Sequence, residues 1–88
     1  MVKYEIRYTK DAVKDIKLLK QKVIWSKTKD LLDIIRINPY TTPPSYEKLY
    51  WDIDGAYSRR INIQHRLVYQ VYKKEKVIKI ISMWGHYE

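Results

Sequence analysis

Polar side chains that can perform acid–base and phosphate chemistry collect in the second half of the chain. Glu47 closes a proline-rich stretch, Arg66 lies in a segment of alternating polarity, and His86 and Tyr87 stand next to the last residue. Metal-independent cleavage of RNA needs a base that takes the 2′-hydroxyl proton, a cation that stabilises the charged phosphorus, and an acid that protonates the leaving 5′-oxygen. Glu, Arg and His can fill these three roles.

Each of these residues also has a plain structural interpretation. A glutamate at the end of a loop is often only a solvated carboxylate, and an arginine on a sheet is about as often a salt-bridge partner as a phosphate ligand. Residues next to a chain end are commonly bystanders. The combination of residue types, rather than any single residue, therefore indicates chemistry on a phosphodiester.

Four further residues are candidates for binding the substrate: Lys48, Arg59, Arg60 and His65. Arg59 and Arg60 are neighbours on an expected strand, so their side chains point to opposite faces and at most one shares a face with a given site. Pairing of either arginine with Asp52 or Asp54 is the structural alternative. His65, at a strand junction, is also typical of a structural histidine.

The composition excludes several classes of protein. The chain has no cysteine, which excludes a disulfide scaffold, thiolate metal sites and cysteine catalysis. Its two histidines lie far apart, and no carboxylate motif has metal-ligand spacing, so we expect neither a metal nor another cofactor. We find no signal-peptide pattern and no apolar run long enough to cross a membrane, and we expect a cytoplasmic protein without a membrane partner.

The net charge predicts a polyanionic partner. The 88 residues include 18 Lys and Arg against 10 Asp and Glu, which gives a formal charge of +8. A chain of this length is expected to form a single domain over residues 1–88. Basic residues occur in both halves, so the charge belongs to the folded surface rather than to a detachable tail.

Two helices are expected to follow a first strand. Residues 4–8 alternate apolar and charged side chains with the period of a half-buried strand. Thr9 fits the N-cap of a helix. An apolar stripe at helical spacing follows, formed by Ala12, Ile16, Leu19 and Val23. A second helical pattern, formed by Thr28, Leu31, Leu32 and Ile35, runs to Asn38, which Pro39 keeps out of the helical conformation.

The rest of the chain predicts strands. Residues 38–48 hold all three prolines and are expected to form an extended loop. Asp54 and Gly55 form a turn signal. Strands are expected over residues 49–53, 57–63, 65–72 and 77–83. The resulting fold class is α+β: an N-terminal strand, a two-helix hairpin, then antiparallel strands in one twisted sheet with the helices packed on one face.

Four blocks of sequence resemble the YoeB/Txe branch of the RelE/ParE toxin superfamily. They are Glu47-Lys-Leu49, Gly55-Ala-Tyr-Ser-Arg-Arg60, His65-Arg-Leu-Val-Tyr69 and His86-Tyr87. The resemblance covers the whole chain in length and element order and is most specific over residues 47–87. It implies a compact RelE-like domain and a toxin of a type II toxin–antitoxin pair, which enters the ribosomal A site and cuts mRNA to leave a 3′ phosphate and a 5′-hydroxyl.

The resemblance also implies a role for each catalytic candidate. Glu47 would be the general base on the 2′-hydroxyl, and His86 the general acid on the leaving oxygen. Arg66 would stabilise the phosphorane charge. Tyr87 would stack on the nucleotide or orient it.

Residues around these candidates would contact the substrate. The resemblance implies that Arg60 or Arg59 holds the substrate backbone or braces the site, and Lys48 is an ammonium group close to the glutamate. Three aromatic residues flank the loop and are candidates for stacking on bases or for ordinary packing: Tyr46, Tyr50 and Trp51.

Two other functions stay open at this point. A ParE-like toxin of the same fold would bind DNA gyrase without cutting RNA, although such chains do not usually carry the Glu and His pair. A basic RNA-binding module would leave RNA intact.

Two kinds of partner are expected for an mRNA-cutting protein. Such a protein must be blocked, and a basic, aromatic surface suits an acidic, partly disordered antitoxin, which the resemblance implies to be YefM/Axe-like. The 70S ribosome with its mRNA, and a second copy of the chain, are the other expected partners.

Overall fold

Two helices follow a first strand and precede four more strands. The computed structural model describes residues 3–49 and 55–83. The elements in chain order are β1 (Glu5–Tyr8), α1 (Lys10–Leu19), α2 (Trp25–Ile37), β2 (Glu47–Leu49), β3 (Ala56–Arg60), β4 (Arg66–Tyr72) and β5 (Val77–Ser82). The α+β class and the order of strand, helix pair and strands are confirmed.

One five-stranded sheet has the strand order β1-β5-β4-β3-β2. Strands β2 to β5 form the expected antiparallel meander. Strand β1 instead pairs in parallel with β5, so the sheet is mixed. A parallel pair needs a long crossover connection, and the helix pair is part of the chain that separates β1 from β5.

The start of α1 is fixed to the sheet through one hydroxyl group. Thr9 Oγ1 accepts a hydrogen bond from the Ala12 N–H at 3.1 Å, as expected for an N-cap, and donates to the Ile81 carbonyl at 2.9 Å. The predicted apolar stripe ends earlier than expected: Val23 is 96% exposed because α1 stops at Leu19 and residues 20–24 form a turn.

The helices pack on one face of the sheet, as predicted. Strands β4 and β5 direct alternate residues toward α1 and α2. The buried core cluster contains Ala12, Leu19, Leu31, Leu32, Ile35, Ile61, Leu67, Tyr69, Ile78, Ile80 and Met83. No helix in the part of the chain that the structure describes is long and apolar enough to cross a membrane.

The boundaries around the proline-rich loop decide where the site lies. Asn38 is extended, with φ −154° and ψ 107°, as expected before Pro39. Strand β2 begins at Glu47, so the glutamate belongs to the sheet rather than to the loop. Most of the strand predicted over 49–53 lies outside the described residues.

Strand β3 is shorter, and the turn between β3 and β4 is longer, than the sequence predicts. Strand β3 ends at Arg60, and residues 61–65 form a turn. Asn62 Oδ1 holds this turn by accepting from the N–H groups of Gln64 at 2.8 Å and His65 at 2.7 Å. The turn therefore leaves Arg60 directly opposite Arg66.

Replacement of Thr9 by alanine removes both hydrogen bonds of its hydroxyl group. We expect Thr9→Ala to lower the free energy of unfolding by about 1–2 kcal/mol. Thr9→Ser keeps the hydroxyl and is expected to stay within about 0.5 kcal/mol of the wild type. Urea denaturation measures both values, and an equal loss in the two variants would show that the hydroxyl does not carry the effect.

Candidate functional site

A cleft of about 200 Å³ lies on the sheet face turned away from the helices, which we call the open face. Its lining residues are Ser45, Tyr46, Glu47, Ser58, Arg60 and Arg66. Cross-strand partners share a face, and the register pairs Glu47 with Ser58 and Arg60 with Arg66. Strands β2, β3 and β4 thus bring the glutamate and two arginines together, and the proximity of Glu47 and Arg66 agrees with the sequence-based expectation.

Glu47 and Arg66 form an ion pair in this cleft. Arg66 Nη1 lies 3.7 Å from Glu47 Oε2, which is longer than a charge-assisted hydrogen bond of about 2.7–2.9 Å. The Glu47 side chain is 70% exposed and that of Arg66 is 20% exposed. The carboxylate is therefore open to a third group, while most of the Arg66 side chain is covered by the protein.

Arg60 adds a second cation beside Arg66. Its side chain is exposed, and its cross-strand position puts two arginines opposite each other on the open face. Like charges directly opposite in a sheet are destabilising, and an anion bound between the two guanidinium groups would remove that repulsion. The pair favours phosphate, which arginine recognises through paired N–H donors.

Arg59 lies inside the protein, on the opposite face of β3 from Arg60. It is fully buried. Its Nε donates to the Tyr69 hydroxyl at 3.0 Å, Nη2 donates to the Pro39 carbonyl at 2.9 Å, and Nη1 donates to the Pro44 carbonyl. This corrects the expectation of a substrate contact for Arg59, because the guanidinium has no access to solvent. The alternative expectation, that one arginine braces the site, fits its position.

The buried guanidinium packs on one ring of a tyrosine cluster. The Tyr46 ring centroid lies 5.0 Å from Arg59 Cζ, and the Tyr40 and Tyr57 rings contact Tyr46 at centroid distances of 6.2 and 5.4 Å. Within residues 3–49 and 55–83, no carboxylate forms a salt bridge with Arg59. Carbonyl dipoles and the ring face therefore stabilise its charge.

Tyr69 keeps its proton in this environment. Burial raises the pKa of the Tyr69 phenol, and the hydrogen bond and charge of Arg59 partly oppose that rise. The neutral hydroxyl donates to the Pro39 carbonyl at 2.9 Å while it accepts from Arg59. Burial and a hydrogen bond with Tyr57 likewise raise the pKa of Tyr40 well above its usual range. The loop is thus held by neutral tyrosines and one cation.

Lys48 and His65 lie outside the cleft. Lys48 pairs with Tyr57, so strand alternation puts it on the face opposite Glu47. His65 is 9% exposed and lines a different cavity. Its carbonyl accepts from the Ile61 N–H at 2.9 Å within the β3–β4 turn. Neither residue lines the cleft around Glu47, so a substrate contact by Lys48 or His65 would lie outside it.

Ser58 and Ser45 line the cleft and had no role in the sequence analysis. Ser58 is 2% exposed and lies on the open face between Glu47 and Arg66. Its position two residues before Arg60 on one strand was the available signal, because such residues share a face. A small side chain here leaves room for a substrate between the three charged groups.

Several candidates lie outside the described residues. These are His86 and Tyr87, together with the loop aromatics Tyr50 and Trp51 and the acids Asp52 and Asp54. Among the residues that the structure does describe, no three His, Asp or Glu side chains gather as metal ligands.

Comparisons with known proteins support the assignment of the fold. A profile of the family described as YoeB-like toxin of bacterial type II toxin–antitoxin system matches residues 8–87. A chain of the YoeB–YefM complex from Staphylococcus aureus is 36% identical, with TM-score 0.79 and coverage of 98% of this chain and 100% of that one. The comparison with curated protein sequences found no significant match.

Two further solved structures are similar over nearly their whole length. The YoeB dimer from Staphylococcus aureus is 35% identical, with TM-score 0.80 and coverage of 98% and 100%. A YoeB/ParE toxin from Agrobacterium tumefaciens is 26% identical, with TM-score 0.85 and coverage of 94% of this chain and 99% of that one. The strand and helix arrangement that builds the cleft is therefore that of the neighbours.

The bracing role of Arg59 separates it from its neighbour Arg60. We expect Arg59→Met to lower the free energy of unfolding by about 2–5 kcal/mol, because the Pro39 and Pro44 carbonyls lose their charged donor. Arg60→Met is the matched control and is expected to change it by less than about 0.5 kcal/mol. Urea denaturation measures both variants. Equal losses in the two would contradict the assignment of separate roles.

Proposed function

The chain belongs to the YoeB-like toxin family of bacterial type II toxin–antitoxin systems, and we propose that it is a ribosome-dependent endoribonuclease that cleaves mRNA in the ribosomal A site. The family expected from the sequence is confirmed. The observation that carries the proposal is the open-face cleft, where a solvent-accessible carboxylate, Glu47, lies 3.7 Å from the guanidinium of Arg66. Arg60 completes a site for one phosphodiester.

Glu47 is the proposed general base. Its exposed carboxylate takes the proton of the 2′-hydroxyl, and the 2′-oxygen attacks the adjacent phosphorus. The bond between phosphorus and the 5′-oxygen then breaks. The immediate products are a 2′,3′-cyclic phosphate, which water opens to the 3′ phosphate, and a 5′-hydroxyl.

The two open-face arginines stabilise the charge that develops on the phosphoryl oxygens. Arg66 is partly buried and fixed on β4, so its guanidinium needs little reorganisation during the reaction. Arg60 approaches from β3 and holds the substrate backbone. Removal of one such preorganised donor typically costs about 10²- to 10³-fold in rate.

His86 is the proposed general acid, and the sheet register supports this. Strand β5 ends at Ser82, whose partner Val68 lies in the same cross-strand row as Ser58 and Glu47. Glu47 and Ser82 stand at the two ends of that row, separated by three strand spacings of about 4.8 Å each. The four residues after Ser82, 83–86, can span about 14 Å, so the chain is long enough for His86 to reach the cleft. We propose that Tyr87 stacks on the nucleotide or orients it.

The proposed reaction and the similar structures together indicate which partners this chain binds. The similar chain from Staphylococcus aureus forms a complex with YefM, and we propose an antitoxin of that kind for this chain. A second copy of the chain is a further proposed partner, since a YoeB dimer is among the neighbours. A substrate on translating ribosomes places the activity in the cytoplasm.

Loss of either proton-transfer group tests the proposal. We expect Glu47→Gln and His86→Gln each to lower the rate of mRNA cleavage by about 10²- to 10⁴-fold, since general acid–base groups contribute on that order. Primer extension on programmed ribosomes measures the rate. Glu75→Gln, at an exposed carboxylate in the β4–β5 turn, is the matched control and is expected to cut at the wild-type rate.

The outcome also separates the alternatives. Cleavage at the wild-type rate by the folded Glu47→Gln variant would contradict the mechanism. Inhibition of DNA gyrase without mRNA cleavage would favour a ParE-like activity. Intact mRNA after incubation of the wild-type protein with ribosomes would favour a binding module. Urea denaturation of each variant checks that it folds.

A further inference from the structure

A second cavity, of about 350 Å³, lies where the α1–α2 turn meets the β3–β4 turn. We call residues 20–24 and 61–65 together the turn surface. Its cavity is lined by Lys22, Ile24, Asn62, Gln64 and His65. In the sequence, Val23 lies between the lining residues Lys22 and Ile24, and Ile63 lies between Asn62 and Gln64.

Val23 and Ile63 are unusually exposed apolar side chains. They are 96% and 83% exposed, whereas the other exposed large apolar side chains of the described residues range from 39% to 49%. Branched aliphatic residues are among those most often buried. Both Val23 and Ile63 are neighbours in sequence of residues that line one cavity, so they offer apolar side chains to a partner that docks there.

Hydrogen bonds hold both turns in place. Asn62 fixes the β3–β4 turn through two backbone N–H groups. In the α1–α2 turn the Lys22 N–H donates to the Leu19 carbonyl at 2.9 Å, and the Trp25 N–H donates to the Lys22 carbonyl at 3.1 Å. Lys20 Nζ lies 5.7 Å from the Trp25 ring centroid. A preorganised surface loses less conformational entropy when a partner binds.

The sequence around the turn surface carries only positive charge. Residues 16–29 contain five lysines and no Asp or Glu, and residues 60–66, which span the β3–β4 turn, contain two arginines and no Asp or Glu. A partner with carboxylate groups is complementary to this surface, whereas a second copy of the same surface is repelled. Exposed aliphatic side chains have no counterpart in a phosphate backbone, which basic side chains contact. Charge and apolar exposure together favour an acidic polypeptide over RNA.

We propose that the turn surface docks an acidic polypeptide segment that carries apolar side chains. Its apolar side chains cover Val23 and Ile63, and its carboxylates face Lys20 and Lys22. The identity of that segment as part of the antitoxin rests on the proposed function. Arg60 and Arg66 flank the β3–β4 turn, so a segment docked on the turn surface continues directly toward the cleft.

Two labelled synthetic peptides of equal length test the proposal with the full chain. One peptide combines Glu with Leu, and the other has the same Glu positions with Ser in place of Leu. We expect the Leu peptide to bind about tenfold or more tightly than the Ser peptide, because only Leu buries apolar surface on the protein. Fluorescence anisotropy measures both affinities.

Paired variants locate the binding. The double variant Val23→Ser with Ile63→Ser is expected to weaken binding of the Leu peptide by about tenfold or more. The matched control, Val13→Ser with Ile37→Ser, removes the same residue types at positions that are 44% and 49% exposed and is expected to bind within about twofold of the wild type. All four side chains are on the surface, and urea denaturation verifies folding.

Five results would overturn the proposal. On the peptide side they are equal affinity for the two peptides, no loss of binding in the turn-surface variant, and an equal loss in the control variant. The fourth is an equal loss of affinity of the turn-surface variant for a short single-stranded RNA. The fifth is a wild-type dimer in sedimentation that only the turn-surface substitutions dissociate, which would assign the surface to a second copy. Cleavage of mRNA is measured separately without peptide. Its absence from every form would refute the proposed function and leave the peptide result to decide docking.

Discussion

The guanidinium group of Arg59 holds the proline-rich loop against the sheet from inside the protein. It donates to the carbonyl groups of Pro39 and Pro44, which lie near the two ends of that loop, and to the Tyr69 hydroxyl on β4. A planar guanidinium offers its donors in a fixed arrangement, which a lysine ammonium cannot reproduce. Since Glu47 follows this loop directly as the first residue of β2, the position of the proposed base depends on a buried cation that never contacts the substrate.

Strand alternation lets neighbouring arginines take separate roles. Arg59 points into the core, where carbonyls and the Tyr46 ring stabilise its charge. Arg60 points to the open face, directly across from Arg66, where an anion bound between the two would relieve their repulsion. The same alternation puts Lys48 away from Glu47. The net charge of +8 therefore includes the buried charge of Arg59, which stabilises the fold, besides the charges of the cleft and the turn surface.

Local signals in the sequence were sufficient to predict some features of the fold and of the site. Thr9 as an N-cap, the two helices and the opposed directions of Arg59 and Arg60 follow from short-range chemistry and from the period of a strand. Which arginine points inward depends on the core that the helices form, and the parallel pairing of β1 depends on the path of the whole chain. The exposed Val23 shows the same limit, because the periodicity continues beyond Leu19 while the helix ends there.

We propose that the open-face cleft cuts RNA through attack by the 2′-oxygen. An mRNA with a single 2′-deoxynucleotide at the cleavage position, placed in the A site of programmed ribosomes, tests this directly. We expect no cut at that position, and normal cutting of the all-RNA message by the same preparation. Cutting of the 2′-deoxy message at an unchanged rate would contradict the proposal, because the attacking oxygen would then have to come from outside the substrate.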